Sequence, residues 1–199
     1  MEQELKGKIA FVTGSGRGLG SVMARKLAEM GANVILHDIS WDAPARFGEY
    51  KDLGEVVKSI EALGVRSMGV VGNIGDKAAI AAMKAEIDSK FGDVEILVNC
   101  AGGDIGASGN KPVPNDLLGI PYEDIVALTN NNLIGTMLMC QAFVNPMRER
   151  GHGVVVNIGS TAAHVGVPNG SIYAVLKAGV VHYTRCLASQ LREHNVTVN

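Results

Sequence analysis

Lys8-Ile9-Ala10-Phe11-Val12-Thr13-Gly14-Ser15-Gly16-Arg17-Gly18-Leu19-Gly20 begins as a short apolar run that reads as a buried strand. It passes through four closely spaced glycines and continues into Leu19, Val22, Met23 and Leu27, an apolar set with helical period that ends near Gly31. Strand, glycine turn and helix follow without a break. Glycines at such a junction let the backbone turn sharply and come close to a ligand. The unpaired N–H groups of the helix start then offer hydrogen bonds and positive potential to an anion such as a pyrophosphate. A second strand, Asn33-Val34-Ile35-Leu36-His37, delivers Asp38 eighteen residues after Gly20, where a carboxylate can accept hydrogen bonds from a ribose diol. The order of these pieces predicts a dinucleotide fold.

Strands and helices alternate along the rest of the chain. A polar connection from Ser40 to Gly48 leads to a helix reaching about Leu63. Then come a strand from Val65 to Val71, a helix from Asp76 to Phe91 and a strand from Glu95 to Val98. After a long loop, a helix from Tyr122 to about Arg150 precedes a strand from Gly153 to Ile158, and a helix from Ser171 to about Glu193 precedes a strand starting at Val196. Alternation of this kind predicts an α/β fold, a Rossmann-type doubly wound parallel sheet with helices on both faces. No internal repeat or linker divides it, so residues 1–199 read as one domain holding both cofactor and catalytic sites. The glycine turn, Asp38, Asn99 and Ser160 all fall just past expected strands, along one edge of the sheet where such folds bind ligands.

The last third carries the chemistry. Tyr173 and Lys177 are four residues apart within the apolar set Ile172, Val175, Leu176, Val180 and Val181, so both project from one helix face. A free tyrosine titrates near about 10, and a neighbouring ammonium favours its ionised form. A proton acceptor tuned in this way suits alcohol oxidation.

Composition narrows the possible functions. With 199 residues, 47% hydrophobic content and a formal charge of −2, the chain can bury a sizeable core. It has no basic run and only 5% aromatic residues, which argues against a nucleic-acid surface. No apolar stretch has membrane-spanning length, and Met1-Glu2-Gln3-Glu4 is acidic where a secretory signal is basic, so a cytoplasmic location is expected. Cys100, Cys140 and Cys186 are odd in number and widely spaced, and read as reduced, small buried hydrophobes. His37, His152, His164, His182 and His194 lack metal-ligand spacing, and no metal is expected.

Together these motifs make the chain resemble a short-chain dehydrogenase/reductase of the single-domain type with a T-G-x3-G-x-G cofactor turn. The similarity runs through Thr13 to Gly20, Asp38, Asn99-Cys100-Ala101-Gly102, Asn132-Leu133-Ile134-Gly135, Ser160, Tyr173 and Lys177. The resemblance implies a catalytic tetrad of Asn132, Ser160, Tyr173 and Lys177, with Ser160 thirteen residues before Tyr173. It also implies a cofactor cradle of Gly14, Ser15, Arg17, Gly18, Leu19 and Gly20. Asp38, Asn73, Asn99, Ala101 and Gly102 continue that site, and Tyr173 and Lys177 meet its nicotinamide end. Asn132 follows Asn130 and Asn131, three poor helix formers in mid-helix. In the family the matching asparagine accompanies a helix irregularity and holds a relay water, while Asn130 and Asn131 read as polar surface.

Asp38 would repel a 2′-phosphate, and neither Ile39 nor Ser40 is basic, so NAD is the expected cofactor. Arg17 keeps NADP, and with it a ketone or 3-ketoacyl reductase, as the runner-up. Two further readings are non-redox chemistry on the same fold and a non-catalytic dinucleotide-binding protein. The expected partners are a small alcohol or ketone and further copies of the chain. Met137, Leu138, Met139 and Phe143 in one long helix, with Val175, Val180, Val181 and Leu187 in the other, exceed one buried stripe, and the resemblance implies that these helices pair into a homodimer or homotetramer. The loop from Gly103 to Pro121 should border the substrate and suits a small polar one. Asn199 falls inside a sixth strand, and the family continues beyond it with a substrate-covering segment and a final strand. A chain without them is expected to bind dinucleotide but to turn over poorly.

Overall fold

Six short strands form one parallel sheet: β1 (Ile9–Thr13), β2 (Asn33–Asp38), β3 (Ser67–Val71), β4 (Ile96–Asn99), β5 (Gly153–Asn157) and β6 (Val196–Val198). Their order across the sheet is β3-β2-β1-β4-β5-β6. The structure is a computed structural model that describes residues 4–199; Met1-Glu2-Gln3, the acidic start, lies outside the described residues. Strand order reverses between β1 and β4, which opens a crevice at their carboxyl ends. Thr13 pairs with Asn99, and Asn99 with Asn157, so three polar strand ends stand side by side there.

Both faces of the sheet are buried, because successive side chains alternate between them. Phe11, Ile35, Leu97 and Val155 pack into one apolar layer, and Ala10, Val12, Val34, Leu36, Ile96 and Val98 into the other. Helices α1 (Gly18–Glu29) and α2 (Leu53–Glu61) cover the second layer. Helices α3 (Lys77–Lys90), α5 (Gly135–Arg150) and α6 (Ser171–Leu191) cover the first, and α4 (Tyr122–Thr129) runs into α5. Asp52 and Asp76 cap α2 and α3 by accepting from the Glu55 and Ala78 N–H groups at 2.9 and 2.8 Å.

The helix irregularity that the resemblance implies at Asn132 is a π-helical turn at Asn130–Ile134, where the three asparagines sit, interrupting the helix from Tyr122. Other features depart from the sequence reading. Asn130 and Asn131 are half-buried rather than surface residues, and Asn130 packs towards Gly75. The connection after Asp38 contains a 3₁₀ turn, Ala43–Phe47, begun by Pro44, whose ring fixes φ, and closed by Gly48 at φ 71°. Among the cysteines, Cys140 is buried and Cys100 half-buried, but Cys186 is exposed, so it is not a small core residue. Finally, Met139, Phe143 and Val180 face the core of the single chain, leaving Met137, Leu138, Val181 and Leu187 half-buried and Val175 exposed. Among the described residues, no helix is long and apolar enough to cross a membrane.

Candidate active site

The glycine turn is shaped by contacts that leave no room for side chains. A Cβ on Gly20 would collide with the Gly14 carbonyl oxygen, and one on Gly14 would lie 2.8 Å from the Ala101 Cα. Gly14 and Gly18 also have φ of 63° and 54°, a region that glycine enters without strain. The turn is thus pressed against the loop after β4, and together they form a backbone-lined cradle.

Its underside is held by three residues. Ser15 is fully buried; its hydroxyl donates to the Val12 carbonyl at 2.7 Å and accepts from the His37 N–H at 2.9 Å. The motif places Ser15 among the cofactor contacts, but its side chain is committed inside the fold. His37 accepts from the Gly14 N–H through Nδ1 at 3.2 Å and donates through Nε2 to the Gly72 carbonyl at 2.9 Å. That pattern requires a neutral ring. Burial lowers the His37 pKa below 6.5, against smaller opposing effects from the Gly72 hydrogen bond and the Asp38 charge. Thr13 Oγ1 accepts from the Cys100 and Ala101 N–H groups, both at 3.0 Å, tying the end of β1 to the other wall of the crevice. Sequence reasoning assigns neither Thr13 nor His37 a part in the site; the signal for both is their place as the last or next-to-last residue of a strand bordering the crevice.

Asp38 ends β2 half-buried, with Oδ1 accepting its neighbour Ile39's N–H at 2.8 Å. Arg17 is half-buried between Gly16 and Gly18, and Leu19 is exposed at the mouth. Asn73 is exposed, and its Oδ1 accepts from the Gly75 N–H at 2.8 Å, a local turn at the end of β3. Asn99 is turned inward: its amide donates to Asn157 Oδ1 at 2.9 Å and to Cys140 Sγ at 3.3 Å. It therefore joins the central strands to α5. The half-buried Ala101 and the exposed Gly102 continue that strand end, and a Cβ on Gly102 would meet Asn132 Oδ1 at 2.7 Å. Burial pushes the Cys100 thiol up, with the Lys177 charge opposing.

On the far side of the crevice, Lys177 is only 4% exposed. Its ammonium donates to the Ile158 carbonyl at 2.7 Å and lies 5.7 Å from the centre of the Tyr173 ring. Burial lowers the Lys177 pKa. Ile158 is two residues before Ser160, whose Oγ accepts from the Ala162 N–H at 3.2 Å and caps a short 3₁₀ turn, Thr161–His164, packed on α6. The strand end bearing Ser160 and the helix bearing Tyr173 are thus pinned together by the lysine. Asn132 is fully buried in the π turn, where its amide holds Gly103 and Leu128.

A model of the short chain dehydrogenases matches residues 8–199. The chain belongs to that family. It is 34% identical to a cyclohexanol dehydrogenase of Rhodococcus sp. (strain TK6), over 98% of this chain and 73% of the relative. It is 32% identical to the 3-oxoacyl-[acyl-carrier-protein] reductase FabG of Haemophilus influenzae, over 98% of this chain and 72% of that one. Among solved structures, a gluconate 5-dehydrogenase from Burkholderia cenocepacia J2315, in complex with NADP and tartrate, superposes with a TM-score of 0.82 at 28% identity, covering 100% of this chain and 71% of that one. A 7α-hydroxysteroid dehydrogenase complexed with NADH and a 7-oxo bile acid gives 0.82 at 30% identity, over 98% and 69%. This short-chain dehydrogenase is an oxidoreductase acting on CH–OH groups, and its family binds nicotinamide dinucleotides. The backbone cradle between Gly14, Gly20 and Ala101, closed to any Cβ, fits such a ligand.

Proposed function

We propose that this short-chain dehydrogenase interconverts a secondary alcohol and a ketone with NAD(H), using Asn132, Ser160, Tyr173 and Lys177. The observation that carries the reading is the buried Lys177 ammonium, held by the Ile158 carbonyl at 2.7 Å one helical turn from Tyr173. A buried cation with a single hydrogen-bonded partner is costly to keep unless it has work to do.

In oxidation, Tyr173 takes the hydroxyl proton of the alcohol as its carbinol C–H bond breaks and the C=O double bond forms. The bound nicotinamide supplies the acceptor for the departing hydride. Lys177 stabilises the tyrosinate that must precede proton uptake and holds the nicotinamide ribose. Ser160 donates to the substrate oxygen, since its Oγ lone pair is used by Ala162 N–H while its own proton is available. Asn132 anchors the relay water; its amide is committed to Gly103 and Leu128, and its main-chain carbonyl, which accepts from Thr136 Oγ1 at 2.8 Å, keeps a second lone pair.

Asp38 supports NAD, as a carboxylate beside the adenosine ribose repels a 2′-phosphate. Arg17 and the NADP complex of the gluconate 5-dehydrogenase support the second reading, an NADP(H)-dependent ketone reductase, and the 3-oxoacyl reductase relative supports its direction. A homo-oligomer formed through α5 and α6 rests on the half-buried Met137 and Val181 and the exposed Val175, as Leu138 and Leu187 pack against the chain's own core. The deciding experiment is turnover of secondary alcohols and ketones with both cofactors by the unaltered protein and Tyr173→Phe. The variant should retain dinucleotide binding and lose turnover; retention of most activity overturns the mechanism.

A further inference from the structure

We infer that Glu49 is a built-in rival for the cofactor's phosphates at the start of α1, and that together with Asp38 it disfavours NADP(H). The inference rests on the NAD(H) reading above. Glu49 Oε2 accepts from the Gly18 N–H at 2.8 Å, across 31 residues of chain. Gly18 is the first residue of α1, whose N-cap Arg17 makes no side-chain cap and whose first turn holds no acidic residue. The carboxylate that satisfies this end of the helix therefore comes from the strap between β2 and α2.

That strap is anchored on both sides of Glu49. Ala43 and Pro44 are buried, and Pro44 lies so close to Gly16 that a Cβ there would be 2.8 Å from the ring. Tyr50 packs against the apolar layer beneath α1 and α2. Glu49 projects between these anchors onto the turn while staying exposed itself. The same Cβ on Gly16 would collide with the Asp38 carboxylate. One carboxylate thus abuts Gly16 and a second is bonded to Gly18, and they bracket Arg17 along the turn.

A backbone N–H at a helix start attracts anions, and an internal carboxylate bonded to it must be displaced before a phosphate can use it. Displacement weakens binding of both dinucleotides. The penalty is larger for the one carrying a further, nearly dianionic phosphate near Arg17 and Asp38, because the displaced Glu49 remains tethered beside it. Arg17 alone would favour a 2′-phosphate; it stands in the chain between Gly16, which the Asp38 carboxylate abuts, and Gly18, which the Glu49 carboxylate engages, so an added phosphate there also meets two negative charges.

The test compares the unaltered protein with Glu49→Gln, which keeps the shape, and Glu49→Ala, which removes the acceptor. Dissociation constants for NADH and NADPH are measured by titration calorimetry, with circular dichroism melts confirming that each variant is folded. Both variants should bind NADH about threefold more tightly, the size of one charge at a helix N-terminus. Both should bind NADPH about tenfold more tightly, as like-charge repulsion is also relieved. Unchanged NADPH affinity in both variants, or a gain for NADH equal to or larger than that for NADPH, overturns the role of Glu49. Tighter binding of NADPH than NADH by the unaltered protein overturns the NAD reading instead. The two failures are separate, because the first is a change between proteins and the second a ranking within one.

Discussion

The side-chain amide of Asn132 grips the backbone of Gly103 at both ends: Oδ1 accepts from the Gly103 N–H at 2.9 Å and Nδ2 donates to the Gly103 carbonyl at 2.9 Å. Nδ2 also donates to the Leu128 carbonyl at 2.9 Å, one turn back along the helix from the π turn. One buried side chain therefore fixes the helix irregularity, the strand-end loop and the entrance to the substrate loop together. Replacing it by alanine strands backbone groups that water reaches poorly. Asn132→Ala should cost about 2–4 kcal/mol of stability, the range for orphaning buried hydrogen-bonding groups. Denaturant unfolding measures this, and a loss below about 1 kcal/mol would show that the grip contributes little.

Local signals in the sequence mark much of the candidate site. The strand, glycine turn and helix of residues 8–31 are legible because periodicity and glycine placement act over a few residues. Tyr173 and Lys177 are legible because four residues make one helical turn. Strand register decides the rest. His37 reaches Gly14 and Gly72, and Thr13 reaches Cys100 and Ala101, only because β1, β2, β3 and β4 lie in that order and phase. Ser15 shows the converse: its place in the motif suggests a ligand contact, while the pairing of β1 with β2 turns its hydroxyl inward.

His37 gives the fold an acid limit. Its native pKa lies below the 6.5 of a free imidazole, so the unfolded chain binds more protons as pH falls through that value. The contribution is fully present above 6.5 and is lost progressively as pH falls from there towards the native pKa. Unfolding free energy should therefore decline as pH falls below about 6.5, and His37→Phe, less stable throughout, should decline less steeply. Parallel slopes for the two proteins would assign the acid sensitivity to other groups. Dinucleotide binding by the folded protein should hold through that decline and weaken only at lower pH, where the native ring itself takes a proton and can no longer accept from the Gly14 N–H.

Asp38 sets the cofactor ranking by repulsion. The unaltered protein should favour NAD over NADP in kcat/KM, and Asp38→Ala should narrow the ratio by about tenfold or more, chiefly by improving NADP. The carboxylate also receives the N–H of the exposed Ile39 at 2.8 Å, a local bond between neighbours that water can replace, so its loss leaves the fold intact. Steady-state kinetics with both cofactors on one alcohol decide it. An unchanged ratio would shift the discrimination to Arg17 and Glu49.

Lys177 separates activity from stability. Its ammonium is 4% exposed and bonded to the Ile158 carbonyl, and burial lowers its pKa, so keeping it charged costs the fold. Lys177→Met keeps the length of the stem and removes that cost, leaving only the Ile158 carbonyl without its donor. The melting temperature should hold or rise, while kcat falls by about 100-fold or more, the usual scale for disabling a positioned proton-transfer group. Dinucleotide affinity should fall as well, because the same ammonium is assigned to the nicotinamide ribose. Tyr173→Phe, by contrast, should lose turnover and keep that affinity, so the pair of variants distinguishes a residue with two tasks from a residue with one. A Lys177→Met protein that melts far below the unaltered one would show that the lysine is retained for the fold rather than for the chemistry.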